Sequence, residues 1–295
     1  MTAGRPGFVT GWVRPKELLT QFIMGLERYR YAERQGAPRP MRRIRIAISY
    51  DGTLYHGWQV QPGLATIQGE LERVISEIEG RPVAVLGSGR TDAGVHALAQ
   101  VAAFDLENPI PIPNLVKAVN RLLPRDIRVR DAEQVDPGFH PRFQAAAKIY
   151  EYRILRDAIC PPFDRHYLYH YPFPLDESKM IELAPVFEGE HDFSAFAASD
   201  EKDGLGHSKV RRIFSSRMCR QEGRLLYRVC GSGFLKHMVR NIAGVLLEAG
   251  KGNLDRASIE ERLKPGCGLP SGPAAPARGL FLVSVSYSND SNSFS

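Results

Sequence analysis

The sequence contains no uninterrupted apolar run approaching the ~18 residues that a membrane-spanning helix requires. Its first residues show no secretory apolar core segment, so a soluble cytoplasmic protein with no membrane partner is expected. Cysteine is scarce: Cys160, Cys219, Cys230 and Cys267 form no C-x-x-C pair, which argues against both a zinc ribbon and a disulfide scaffold. Cys219 and Cys230 flank a predicted turn at Glu222-Gly223 at unequal distances and should not face one another. Nucleotide-binding loops are missing as well. Gly87-x-Gly89 has Asp92 where the third glycine of a dinucleotide fingerprint would stand, and Gly244 to Gly252 fails the P-loop spacing, with no Ser or Thr after Lys251.

Charge of one sign is also modest. Seven Arg and Lys against three Glu give residues 1–40 a balance of +4, which leaves only +2 of the overall +6 for the remaining 255 residues. Any case for a nucleic-acid partner must therefore rest on local clusters such as Arg121/Arg125/Arg128/Arg130 and Arg211/Arg212/Arg217/Arg220. Residues 1–40 have Pro and Gly at both ends around one possible helix from Lys16 to Arg34. At Met41 the composition breaks sharply, and we expect the fold to start there, with residues 1–40 a mis-called or dispensable basic extension. A targeting peptide is disfavoured by Glu17, Glu27 and Glu33.

From Met41 onward the chain mixes helix and strand. Ile44, Ile46 and Ile48 alternate with Arg43, Arg45 and Ala47, the period of a strand with one buried face. Ile67, Leu71, Val74, Ile75 and Ile78 recur at helical spacing between an N-cap at Thr66 and a stop at Gly80. Strands are expected at Val83–Leu86, Gln100–Leu106 and Ile127–Val135, with a helix from Pro113 to Leu123. The segment Asp136–Ala147 connects to a second half of similar kind. That half has a strand at Lys148–Leu155, a helix at Asp176–Phe187, strands at Val210–Arg220 and Leu225–Cys230, a helix at Phe234–Ala249 and a last strand at Leu280–Tyr287. The reading is α+β, with an N-terminal lobe over 41–146, a C-terminal lobe over 147–289, a tail at 290–295, and a cleft between the lobes as the default ligand site.

The densest cluster of unusual residues is Gly87-Ser-Gly-Arg90-Thr-Asp92-Ala-Gly-Val-His96-Ala97. Three glycines in eight residues allow close backbone packing and leave Arg90 and Asp92 as the displayed charges. A tight turn with a self-bonded Asp fits the spacing equally well. Asp92 and His96 could share a metal at i, i+4, but no third ligand offers itself, so no metal is expected. Tyr150 and Tyr152 fall on one strand face, either as core or as a platform for a nucleobase. Arg240 lies in the first half of its helix, where the macrodipole does not favour a cation, so an anionic partner is expected for it.

These residues resemble a known family, the TruA-type tRNA pseudouridine synthases. The resemblance runs through Tyr50-Asp-Gly-Thr, His56-Gly-Trp58-Gln, Gly89-Arg-Thr-Asp92-Ala-Gly-Val-His-Ala97, Phe139-His-x-Arg-Phe143, Lys148-x-Tyr150-x-Tyr152, His191-Asp-Phe-Ser-x-Phe196, Phe234-Leu-x-His-Met-Val-Arg-Asn-Ile242 and Ala277-x-Gly-Leu-x-Leu-Val283. It covers nearly everything after Met41 and nothing before it. The resemblance implies a two-lobed fold with mixed or antiparallel sheets, RRM-like (ferredoxin-like) halves and a central catalytic cleft. It also implies isomerisation of uridine to pseudouridine in the anticodon arm of tRNA at positions 38, 39 or 40, by a homodimer that uses no cofactor. By the same resemblance Asp92 is the catalytic carboxylate and Arg240 the arginine set against it. Tyr150 is the tyrosine that stacks on the target base, Arg90 the residue that enters the RNA helix as the nucleotide leaves it, and Leu280 part of the apolar pocket. The extension at 1–40 could then be a tRNA-binding arm. The rival readings are a non-catalytic RNA-binding protein on the same scaffold, and a glycosidase, which would need a second carboxylate near Asp92.

Overall fold

The computed structural model describes residues 40–198 and 208–288; the extension with its expected helix and the tail at 290–295 lie outside the described residues. The described chain is α+β, as expected. Its strands are β1 (Arg42–Tyr50), β2 (Leu86–Gly87), β3 (His96–Leu106), β4 (Ile127–Val135), β5 (Ala145–Leu155), β6 (Tyr169–His170), β7 (Gly189–Asp192), β8 (Val210–Gln221), β9 (Arg224–Gly231) and β10 (Leu280–Tyr287). Its helices are α1 (Ile67–Glu79), α2 (Ile112–Leu122), α3 (Glu177–Leu183), α4 (Met238–Gly250) and α5 (Arg256–Arg262).

All ten strands join one sheet in the order β4-β1-β3-β10-β5-β9-β8-β7, with β2 added on β3 and β6 on β5. The pairing is antiparallel except for β5 with β6 and for the short contact of β10 with β3, where Phe281 and Leu282 lie opposite His96 and Ala97. The last strand therefore stitches the N-terminal strands to the C-terminal ones, and it places β3, β10 and β5 side by side at the middle of the sheet. This seam positions the site.

Local chemistry explains most boundaries. The Thr66 hydroxyl accepts from Gly69 N–H and Gly80 closes α1 in the left-handed region, so both ends of α1 are as its sequence signals predict. Ile67, Leu71, Val74 and Ile75 are fully buried beneath it, each contributing roughly 1.5–3 kcal/mol. On β3, Ala102 and Phe104 face this main core, whereas Val101 and Ala103 face a small cluster with Phe139 and Tyr287 on the opposite side.

Three expectations are corrected. Residues 83–85 do not form a strand, because Ser76 and Glu72 of α1 accept the backbone N–H groups of Val83 and Val85. The helix expected from Asp176 to Phe187 is α3, capped by Asp176, followed by a 3₁₀ turn from Ala184; Pro185 has no N–H to continue the α ladder. The helix expected from Phe234 starts at Met238, since His237 adopts φ +63, outside the helical region. Helix α5, capped by Asp255, is too short to show a period in the sequence. Cys230 lies opposite Ser215 and Cys219 opposite Leu226, so these two cysteines do not face each other.

Candidate active site

Asp92 stands on the loop between β2 and β3, and nearly every turn of that loop is fastened from below. Trp58 N–H donates to Thr91 O at 3.0 Å, Gly94 N–H to Tyr55 O at 3.3 Å, and the Tyr50 and Thr91 hydroxyls pair at 2.8 Å. Two glycines make this closeness possible. A Cβ on Gly52 would lie 2.0 Å from Val95 O, and one on Gly57, which is also at φ +91, would lie 2.6 Å from Thr91 O. The Tyr50-Asp-Gly-Thr and His56-Gly-Trp segments are thus the bed on which the aspartate loop rests.

His96 follows the loop and is buried. Its Nδ1 accepts from Gly52 N–H at 3.1 Å, and its Nε2 lies 2.9 Å from His166 O, an arrangement that suits the neutral ring protonated at Nε2. Burial holds its pKa below the ordinary histidine range, against the opposing pull of Asp51. With both nitrogens so engaged, His96 fastens the loop and does not share a ligand with Asp92. Among the described residues no three His, Cys, Asp or Glu side chains converge as a metal site.

On the other wall, α4 presents its N-terminus to the aspartate. Arg240 Nη1 lies 3.2 Å from Asp92 Oδ2, and Arg240 Nε donates to Ala275 O at 2.8 Å. The guanidinium is thereby pinned at two edges. His237 Nε2 stands 3.4 Å from the same carboxylate oxygen. The side chains of Asp92 and Arg240 retain 20% and 17% exposure, so the pair is largely buried and still in contact with solvent. Asp92 is also the anion at a helix start that has no acidic residue in its own first turn and no side-chain cap. The predicted anionic partner of Arg240 is therefore Asp92 itself.

The Pro- and Gly-rich segment before β10 is a strap over α4. Ala275 N–H donates to Arg240 O, and a Cβ on Gly244 would lie 2.1 Å from Pro273 O. Tyr152 extends the fastening by donating its hydroxyl proton to Pro276 O at 2.9 Å.

Tyr150, on β5, is buried at 7% exposure and meets Phe234 edge-on at 5.1 Å. Burial, reinforced by Tyr50 and by the Asp92 charge, raises its hydroxyl well above the usual tyrosine range. It is a neutral phenol near neutral pH. Leu280 is buried at the start of β10 opposite Tyr152, and Leu282 lies opposite Tyr150. Arg90 is exposed two residues before Asp92 and enters no ion pair among the described residues. The structure therefore joins Asp92 and Arg240 directly, sets Tyr150 and Leu280 on neighbouring strands of the seam, and leaves Arg90 displayed at the surface.

Two residues near the site carry no individual role in the sequence reading. His237 appears there only as an unassigned letter of the Phe234–Ile242 motif; in the structure it holds φ +63 just before α4, with its ring facing Asp92. Lys148 appears only as the first letter of a motif. Its ammonium is buried and donates to Ser88 O at 2.7 Å, bracing the aspartate loop from β5, while Gln100 Nε2 braces it from β3 through Gly89 O at 3.1 Å.

Burial, with the like charge of Arg142 added, lowers Lys148 to about 8 from 10.5. The native state gives up this proton first, so between pH 8 and 10.5 the unfolded chain binds more protons and the Lys148 contribution makes stability rise with pH. In urea titrations across that window the native chain should gain stability relative to Lys148→Met. Parallel curves for the two proteins would show an unperturbed lysine.

Residues 46–144 and 183–288 match the family model described as tRNA pseudouridine synthase. A protein named tRNA pseudouridine synthase A from Solibacter usitatus is 63% identical over 248 residues, which span 84% of this chain and 100% of that protein. Proteins of the same name from Limosilactobacillus fermentum and Bacillus subtilis are 42% and 41% identical over 258 and 249 residues, spanning 86% and 84% of this chain and 99% and 100% of theirs.

Proposed function

The chain belongs to the tRNA pseudouridine synthase family, and from that premise we propose that it isomerises uridine to pseudouridine in the anticodon arm of tRNA, at positions 38, 39 or 40, with Asp92 as the catalytic carboxylate. The observation that carries the assignment of Asp92 is its largely buried ion pair with Arg240 at 3.2 Å, with the neutral, buried Tyr150 close enough to feel its charge.

The chemistry asks for little else. The N1–C1′ bond of uridine breaks, the uracil turns, C5 joins C1′, and the C5 proton leaves to solvent. Three routes begin from an ionised Asp92: attack on C1′, addition to C6 of the base, or removal of a ribose proton to give a glycal. In each, the two-edged grip of Arg240 fixes the orientation of the carboxylate, and the largely buried pocket strengthens its electrostatics. Tyr150 offers an apolar ring face to the base and a phenol that keeps its proton. A uridine stacked in a stem must leave the helix before C5 is reachable, and Arg90 stands where a side chain could take its place. Leu280 closes the apolar wall beside Tyr150.

The lobes 41–146 and 147–289 would hold the RNA between them across the β3-β10-β5 seam, and a second copy of the chain would complete the grip on tRNA. No described helix is long and apolar enough to cross a membrane, and a cytoplasmic enzyme acting on cytoplasmic tRNA fits this reading.

The test is tritium release from C5 of uridine-labelled tRNA, using the purified full chain and a chain beginning at Met41, without added metal or nucleotide. Release by both is expected, with the modified position falling in the anticodon arm. No release by the full chain, with tRNA still bound, would turn the reading toward RNA binding alone. Release by the full chain only would make residues 1–40 a tRNA-binding arm.

A further inference from the structure

The aspartate loop has a cationic neighbour that the reaction itself does not use. Lys148 precedes Tyr150 by two residues, so both side chains stand on the same face of β5, about 6.6 Å apart along the strand. The rung through Lys148 continues to Gly231 on β9 and Ile213 on β8. Gly231 offers no side chain there, and Arg211, two residues beyond Ile213, stands on that same face. Arg142 comes from the turn that leads into β5. The turn is held by the Tyr287 hydroxyl, which donates to Pro141 O at 2.8 Å, and by Arg142 N–H, which donates to His140 Nδ1 at 3.1 Å; the exposed Arg142 side chain brings its charge to bear on both Lys148 and Arg211.

These three cations have no anion among the described residues. Arg211 donates only to the carbonyls of Ser208 and Val210, and Arg142 lies over the exposed Phe143 ring at 5.9 Å. Lys148 spends one of its three N–H donors, on Ser88 O. Arg240 and Arg217, by contrast, are paired, with Asp92 and with Glu188. Like charges gathered without a carboxylate among the described residues cost the folded protein stability, and such a cost is offset when an anion is bound. Consistent with this crowding, burial and the charge of Arg142 lower the pKa of both Lys148 and Arg211.

We propose that Arg142, Lys148 and Arg211 form a seat for backbone phosphates of the substrate RNA, beside the nucleotide whose base reaches Tyr150. The buried lysine sits deepest, next to the aspartate loop, and the two arginines lie farther out. Phosphate contacts of this kind position the RNA and carry no sequence information. The seat therefore fixes where along the RNA strand a uridine is presented, and leaves its identity to the pocket. This inference rests on the reading of the chain as an RNA-modifying enzyme, and the experiment separates the two.

The test measures tRNA affinity against salt concentration, together with kcat and KM, for the native chain, the double variant Arg142→Gln/Arg211→Gln, the charge-keeping Arg142→Lys/Arg211→Lys, and, as a control on α5, Arg256→Gln, whose guanidinium is already paired with Glu260. Tritium release by the native chain establishes the activity independently. The glutamine pair should lower the slope of log affinity against log salt by roughly 1.5, the release of about two phosphate contacts, and raise KM about ten-fold with a much smaller change in kcat. The lysine pair should restore the slope, and Arg256→Gln should leave it as in the native chain. An active native enzyme whose slope is the same in the glutamine pair would overturn the seat and spare the activity. A lysine pair as weak as the glutamine pair would assign the loss to packing and would overturn it too.

Discussion

Asp92→Asn should reduce pseudouridine formation by roughly a thousand-fold or more while tRNA affinity stays within a few-fold of the native value. Asparagine fills the same volume, so the loop fastened through Thr91, Gly94 and His96 has no reason to move. What is lost is the negative charge from which each of the three chemical routes starts. The phosphate contacts that dominate RNA affinity lie elsewhere, and removing an anion from the cleft lessens repulsion of the RNA. Arg240 is left facing an amide oxygen, so a modest fall in melting temperature is expected with no change in fold. Single-turnover assays on labelled tRNA, with filter binding in parallel, check both halves. Residual turnover above a few percent would remove Asp92 from the bond-making step. A parallel loss of affinity would mean that the loop had moved.

The elements legible in the sequence are those with a strong local signal. Alternation announced β1, capping residues bounded α1, and an arginine in an unfavourable part of a helix pointed to an anion that proved to be Asp92. The family resemblance then brought Tyr150, Leu280 and Arg90 to one region of the fold. Long-range packing hid the rest. That residues 83–85 give up their strand to the side chains of Ser76 and Glu72 depends on where α1 lies. The insertion of β10 between β3 and β5 depends on a pairing nearly two hundred residues apart, for which no local period exists. His237 looks like any polar helix position until its φ of +63 is known. Lys148 reads as a surface lysine on a strand, because its burial comes from the loop that folds over it. The glycines were legible as loop formers, but only the 2.0 Å approach of a Gly52 Cβ to Val95 O shows what they make room for.

The second large effect is expected at Arg240, where one side chain links three parts of the fold. Its guanidinium holds Asp92 Oδ2 and Ala275 O, and its backbone carbonyl accepts from Ala275 N–H. Arg240→Ala leaves a carboxylate with only His237 nearby and a strap carbonyl without its donor. Breaking a buried pair typically costs 3–5 kcal/mol; with about a fifth of each side chain open to water, the lower end, ~3 kcal/mol, applies. For a fold of this size that corresponds to a fall in melting temperature of roughly 6–12 °C. Turnover should fall about a hundred-fold or more, since a carboxylate displaced by an ångström loses its alignment with the reacting atom. Arg240→Lys separates the two effects. A lysine keeps the charge but lacks the planar fork, so it can offset the carboxylate without also gripping Ala275 O at the right angle. The lysine variant should therefore recover most of the melting temperature and little of the turnover. Recovery of both would reduce Arg240 to a counter-charge; recovery of only the stability would make the orientation of Asp92, beyond its charge, what the arginine supplies to catalysis.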